Sequence, residues 1–172
     1  MNDRKYWLTL ALVLDGIGLR GRRKPCVAKP QEQERHAANS VILLNAAFMR
    51  LISAISGKVT VKVIHVSSLC AVEPFKSWGL YCTGKAGRDM LFRVLAAEYP
   101  DIRVLNYAPG PLDTNMQVEG RTLTRDEELR KLMSSMKEEG KLVPCDASAK
   151  KLLQIIQKDE FKSGEHIDFF EV

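Results

Sequence analysis

The clearest hydrophobic pattern in the chain is Val59-Thr-Val-Lys-Val-Ile-His-Val66, a β-branched run bounded by Gly57 and by Ser67-Ser68. Such a run predicts a strand. After a loop over 69–80, Ala86, Met90, Leu91, Val94, Leu95 and Ala97 recur at helical spacing, so Tyr81 to Glu98 reads as a helix stopped by Pro100. Ile102-Arg-Val-Leu-Asn-Tyr107 is a second short strand, ended by Pro109-Gly-Pro111. Strand, helix and strand at this spacing predict a βαβ unit and a parallel sheet. Ligands of such sheets collect beyond the carboxyl ends of the strands, where Ser67, Ser68 and the 108–111 turn stand.

Weaker patterns flank this unit. Residues 41–55 read as an amphipathic helix stopped near Gly57, the alternative being a buried strand that turns at Asn45; the length of the run favours the helix. Thr124-Arg-Asp-Glu127 has the form of a capping box opening a helix to about Glu139. Asp146 is placed to cap the helix carrying Leu152, Leu153, Ile155 and Ile156. Residues 163–170 give a turn and a closing strand.

Residues 25–39 lack periodicity, and the organisation expected is an irregular, basic leader over 1–39 followed by one α/β domain over 40–172. The apolar run from Tyr6 to Leu14 is too short to span a bilayer, which needs about 20 residues, and lacks a small-residue cleavage pattern. It leads into Gly16-Ile-Gly18-Leu-Arg-Gly21, which matches a dinucleotide fingerprint as text. That fingerprint requires a helix opening at the last glycine, and Pro25 and Pro30 interrupt it; we read the match as coincidental.

Charge changes the picture little. The net +5 of the 172 residues is concentrated in the leader, where eight Lys/Arg against four Asp/Glu give +4. The rest is near neutral, which argues against a nucleic-acid surface. Cys26, Cys70, Cys82 and Cys145 form no C-x-x-C pair, and His36, His65 and His166 lack metal-ligand spacing. Reduced thiols in a cytoplasmic protein, with no metal and no membrane association, are the expectation. His65 reads as a hydrogen-bonded strand histidine, with a catalytic part as the alternative.

The chemistry lies between the two strands. Tyr81 and Lys85 are four apart on a helix and so share a face. A free phenol has a pKa of about 10, and an ammonium within about 4–6 Å favours its ionised form. A serine at the adjoining strand end can hold a carbonyl oxygen beside that phenol. The set would polarise a carbonyl and protonate the alkoxide formed when a hydride arrives.

These residues resemble the short-chain dehydrogenases/reductases. The likeness is carried by Ser-Ser-Leu-Cys-Ala-x-x-Pro-Phe-Lys (67–76), Leu-Tyr-Cys-x-Gly-Lys-Ala (80–86), Arg-Asp-Met-Leu-Phe (88–92), Arg-Val-Leu-Asn-Tyr-Ala-Pro-Gly-Pro-Leu-Asp-Thr (103–114), Asp-Glu-Phe-Lys-Ser-Gly (159–164) and His-Ile-Asp-Phe (166–169). It implies a Rossmann-like sheet and NADPH-dependent reduction of the side-chain carbonyls of a pterin, in tetrahydrobiopterin synthesis. By the same resemblance Ser68 holds the substrate carbonyl, Tyr81 donates the proton, and Lys85 binds the nicotinamide ribose. Leu112, Asp113, Thr114, Asn115, Met116 and Gln117 would cradle the cofactor. Gly110 would line the substrate pocket and Asp168 would anchor the pterin ring. A homo-oligomer, a dimer formed through the Tyr81 helix, is implied as well.

The chain departs from the family before Ser68. No Thr-Gly-x-x-x-Gly-x-Gly loop is present, and only Leu44-Asn-Ala-Ala47 is similar to the family's Asn-Asn-Ala-Gly stretch. Asn45 could equally stand for the helix asparagine of its catalytic tetrad. The expected sheet is therefore incomplete on its N-terminal side. Two outcomes stay open: a working reductase, or a truncated, catalytically incompetent form acting by association with longer subunits.

Overall fold

A computed structural model describes residues 7–12, 41–52 and 60–171. Four strands, β1 (Trp7–Leu12), β2 (Thr60–Val66), β3 (Ile102–Ala108) and β4 (Glu165–Asp168), form one sheet in the order β1-β2-β3-β4, each neighbouring pair parallel. The α/β class and the parallel sheet flanked by helices are as the sequence implies. Trp7–Leu12 is a correction, because it lies in a stretch expected to be irregular: its apolar run pairs with the open edge of β2. The glycines at 16, 18 and 21 lie outside the described residues.

Helix α1 covers 41–52, in agreement with the helical reading, and places Asn45 on a helix rather than at a strand end. Helices α2 (Gly79–Glu98), α3 (Asn115–Leu123), α4 (Glu127–Glu138) and α5 (Cys145–Lys158) follow. Alternation along β2 and β3 divides the core in two. Val61, Val63, Ile102 and Val104 pack with Val41, Met49 and Ile52 of α1 and with Phe92 and Leu95 of α2. Ile64, Leu105 and Tyr107 pack on the other face with Ile155, Phe161 and Ile167.

Three local expectations are corrected. The capping box at Thr124 does not form. Asp126 caps α4 instead, accepting from Leu129 N at 2.9 Å, while the Thr124 hydroxyl accepts from Trp78 Nε1 at 3.0 Å. Asp146 lies inside the first turn of α5, whose N-cap is Pro144, because its carboxylate is drawn to Lys150 one turn on. The apolar stripe expected to bury α2 is also displaced. Met90, Val94 and Ala97 are exposed, and the buried face runs Lys85, Arg88, Asp89, Phe92, Leu95. Polar partners at the strand ends hold that face inward, which leaves a second, apolar face outside.

Candidate active site

The site forms where β2, β3 and β4 end against the first turns of α2. Ser67 and Ser68 follow β2 directly. The Ser67 amide donates to Tyr107 O at 2.7 Å, continuing the ladder one residue further. Ser68 is extended and caps a 3-10 turn, Leu69–Ala71, its Oγ accepting from Cys70 N at 3.2 Å. This turn carries the chain away from the sheet and leaves Ser68 half-exposed.

Tyr81 stands in the first turn of α2 and is half-exposed; its ring meets Trp78 edge-on at 5.5 Å. Lys85, one turn on, is buried. Its Nζ donates to Val66 O at 3.2 Å and Ser67 O at 3.4 Å, and lies 5.7 Å from the centre of the Tyr81 ring. Tyr81 and Lys85 are thus brought together, beside the strand end that Ser68 follows. A fixed cation touches both the strand end that presents Ser68 and the ring that presents the phenol.

Asp89 was not legible as a site residue, yet it ties the site together. Its Oδ1 accepts from Ser67 Oγ in a short hydrogen bond and its Oδ2 lies 2.5 Å from His166 Nδ1. His65 Nδ1 lies 2.9 Å from Asn106 Oδ1 and 3.4 Å from Asp89 Oδ1. Burial alone would raise the Asp89 carboxyl, but hydrogen bonds from His166, His65 and Ser67 outweigh it and hold the group well below the usual carboxylate range. His65 thus has the hydrogen-bonded structural part. The signal for Asp89 was its spacing, since Tyr81, Lys85 and Asp89 recur every fourth residue on one helix face.

The other expected residues line the neighbouring strand ends. Gly110 has φ +78, and a Cβ there would lie 3.2 Å from Val143 Cγ2 and 3.4 Å from Phe169 Cβ. Asp168 is buried at the end of β4, paired in register with Ala108, and its Oδ1 accepts from Phe170 N at 3.0 Å. Leu112 bridges to Val143, and Asp113 pairs with Lys137 at 2.8 Å. Thr114 is the N-cap of α3 but makes no side-chain cap, and Asn115 and Met116 open the helix exposed. Gln117 is buried with Oε1 unpartnered among the described residues. Asn45 stands apart from this cluster in a groove between α1 and the second half of α2, bordered by Leu91, Leu95 and Tyr99.

A pair of helices covers one side. Gly120 of α3 lies against Met133 of α4 and against the Trp78 ring, and Lys76 pairs with Glu128 at 2.6 Å. Trp78 therefore touches both this helix pair and Tyr81. Among the described residues no group of three or more His, Cys, Asp and Glu could hold a metal ion, and no helix is long and apolar enough to cross a membrane.

Comparison with known proteins gives a consistent set. Residues 36–125 match the family model described as short chain dehydrogenase. Sepiapterin reductase of Xenopus tropicalis is 62% identical over 109 residues, 63% of this chain and 42% of that protein. The Rattus norvegicus sepiapterin reductase is 57% identical over 110 residues, again 42% of its length. A Bacillus cereus benzil reductase is 36% identical over 133 residues, 73% of this chain and 52% of that protein. The chain thus spans about half the length, or less, of these relatives. Among solved structures, the KRED1-Pglu enzyme superposes with TM-score 0.73 at 18% identity, covering 92% of this chain and 67% of that one. A Saccharomyces cerevisiae short chain dehydrogenase/reductase gives 0.66 at 21% identity, over 80% and 56%.

Proposed function

The chain belongs to the short-chain dehydrogenase family, and from that premise we propose that it is an oxidoreductase reducing the side-chain carbonyls of a pterin with NADPH. The observation that carries the reading is the double engagement of Lys85, bonded to the end of β2 and set beside the Tyr81 ring. The substrate class follows from the likeness to sepiapterin reductases. We place the reaction in the cytoplasm, where unpaired cysteines stay reduced.

In this reading Ser68 Oγ donates to the carbonyl oxygen of the substrate and holds it toward the phenol. Tyr81 passes its proton to that oxygen as negative charge develops there. The Lys85 cation stabilises the phenolate left behind, and its two carbonyl acceptors keep it from turning away. Asp168 offers a carboxylate to the aminopyrimidinone edge of the pterin, which presents paired donors. Gly110 leaves room for the ring beside Phe169.

The residues expected to hold the cofactor fit it. The start of α3 lacks a side-chain cap, leaving backbone N–H groups for an anionic pyrophosphate. The unpartnered Gln117 Oε1 suits an amide donor. Leu112 to Gln117 would hold the nicotinamide half, and when bound a reduced nicotinamide supplies the hydride. NADPH rather than NADH rests on the family likeness.

We also propose that two copies pair through α2, the helix that carries Tyr81, by its exposed apolar side, which includes Met90 and Val94. The deciding experiment is NADPH fluorescence with the purified chain, followed by sepiapterin reduction by Tyr81→Phe. The expected result is retained NADPH affinity with turnover lowered by roughly 10²–10⁴, the usual worth of a general acid. Absence of NADPH binding at near-millimolar concentration would support the non-catalytic alternative, in which the chain acts by associating with longer subunits.

A further inference from the structure

The strand end that carries Ser68 and the helix that carries Tyr81 each bring a cysteine to their junction. Cys70 is buried in the 3-10 turn, and its amide is the donor that holds Ser68 Oγ. Cys82 follows Tyr81 in the opening turn of α2 and is half-buried. The 3-10 turn packs on α2, and the two thiols are near enough to act on each other's ionisation. Both are free, and neither has a part in the reduction described above.

We propose that Cys70 and Cys82 are an oxidant-sensitive pair that closes to a disulfide, tying the Ser68 turn to the Tyr81 helix. The disulfide stands on the thiols alone, whereas its effect on turnover rests on the reductase reading. The oxidant is hydrogen peroxide. Cys82, the more accessible thiol, attacks one peroxide oxygen; an S–O bond forms, the O–O bond breaks, and the other oxygen leaves as water with the thiol proton. Cys70 sulfur then attacks the sulfenic sulfur. An S–S bond forms, the S–O bond breaks, and the hydroxyl leaves as water with the Cys70 proton. Two electrons pass from the pair to the peroxide, and an added dithiol returns them.

The environments assign these roles. Burial, with Cys82 as neighbour adding to it, pushes the Cys70 thiol up to about 11, so it stays protonated and is not the first sulfur oxidised. A disulfide holds its sulfurs about 2.05 Å apart. Drawing Cys70 to that distance shifts the amide that fixes Ser68 and the helical turn that presents Tyr81. Oxidation therefore switches the site off.

Trypsin separates the two cysteines, placing Cys70 in fragment 63–76 and Cys82 in fragment 77–85. After mild hydrogen peroxide and non-reducing digestion, the expected product is these two fragments linked, about 2 Da below their summed mass, and released by dithiothreitol. Cys82→Ser should give no linked product. Sepiapterin turnover should fall at least tenfold on oxidation of the natural chain, return with dithiothreitol, and persist in peroxide-treated Cys82→Ser. Unlinked fragments with Cys82 carried to the sulfinic acid, about 32 Da heavier, overturn the pair. Linked fragments with unchanged turnover overturn the switch. An untreated chain without turnover counts against the reductase reading, while the masses still decide whether the pair forms.

Discussion

Lys85 and Ser67 meet across the gap between α2 and the end of β2, with Lys85 Nζ 3.4 Å from the Ser67 carbonyl oxygen. The same ammonium reaches Val66 O at 3.2 Å, so one side chain ties two successive backbone carbonyls at the end of β2. Lys85→Met keeps the stem and removes the donors. Turnover is expected to fall at least about 100-fold, in line with loss of acid–base function. Urea unfolding should show a loss of about 1–3 kcal/mol from a carbonyl left without its donor. Unchanged turnover would remove the lysine from the mechanism.

Asp89 sets an acid limit on stability. Its folded pKa lies below the unfolded value of about 3.9. The stability it contributes is therefore fully present above about pH 4 and is lost as pH falls toward the folded pKa. Asp89→Asn, which leaves His166 facing a neutral partner, should cost on the order of 3 kcal/mol at pH 6–7. The difference between the two proteins should narrow as urea titrations are repeated from pH 4 downward. A gap independent of pH would mean that packing, not charge, holds this junction.

Gly110 combines φ +78 with close approach to Val143 and Phe169. Gly110→Ala adds a Cβ in a backbone region that L residues avoid and presses it on both neighbours. The expected cost is about 1–2 kcal/mol, read as a lower urea midpoint at unchanged slope. Pterin affinity should fall with it, since Phe169 adjoins Asp168. A neutral result by both measures would place the turn elsewhere.

Val94 is 44% exposed on the outer face of α2, although Leu95 beside it is a core residue. If that face is where a second copy binds, Val94→Glu should convert dimer to monomer in sedimentation velocity without lowering helical content. A single buried charge without a partner suffices to oppose such an interface. A natural chain that sediments as a monomer would refute the pairing directly.

Tyr81, Lys85, Ser68 and the two central strands were legible because each sits in a pattern that local physics dictates: a four-residue helical spacing, or a β-branched run ended by small polar residues. Helix α3 was not, since Asn115–Leu123 is polar, contains Gly120 and lacks a side-chain cap, so its formation depends on packing against α4. Asp89 was not singled out, because its partners lie 22 and 77 residues away in sequence. The orientation of α2 was misread for the same reason. Its apolar residues pointed to one face, but the partners of Lys85 and Asp89 decided which face is buried. The alternative cap at Asp126 shows the limit of a four-residue pattern, because Thr124 found a better partner in Trp78.

Anchoring Lys85 on main-chain oxygens makes its position a reading of strand register rather than of side-chain identity. Substitution at Val66 would leave both acceptors in place, so the ammonium tolerates drift in the residue that carries one of them. A slip of β2 by one residue is another matter. It would turn Ser67 to the opposite face from Asp89 and offer Lys85 a carbonyl pointing elsewhere. The candidate site would then fail to assemble even though every one of its residues was present, which makes correct pairing of β2 with β3 the checkpoint for forming it in any nascent copy of this chain.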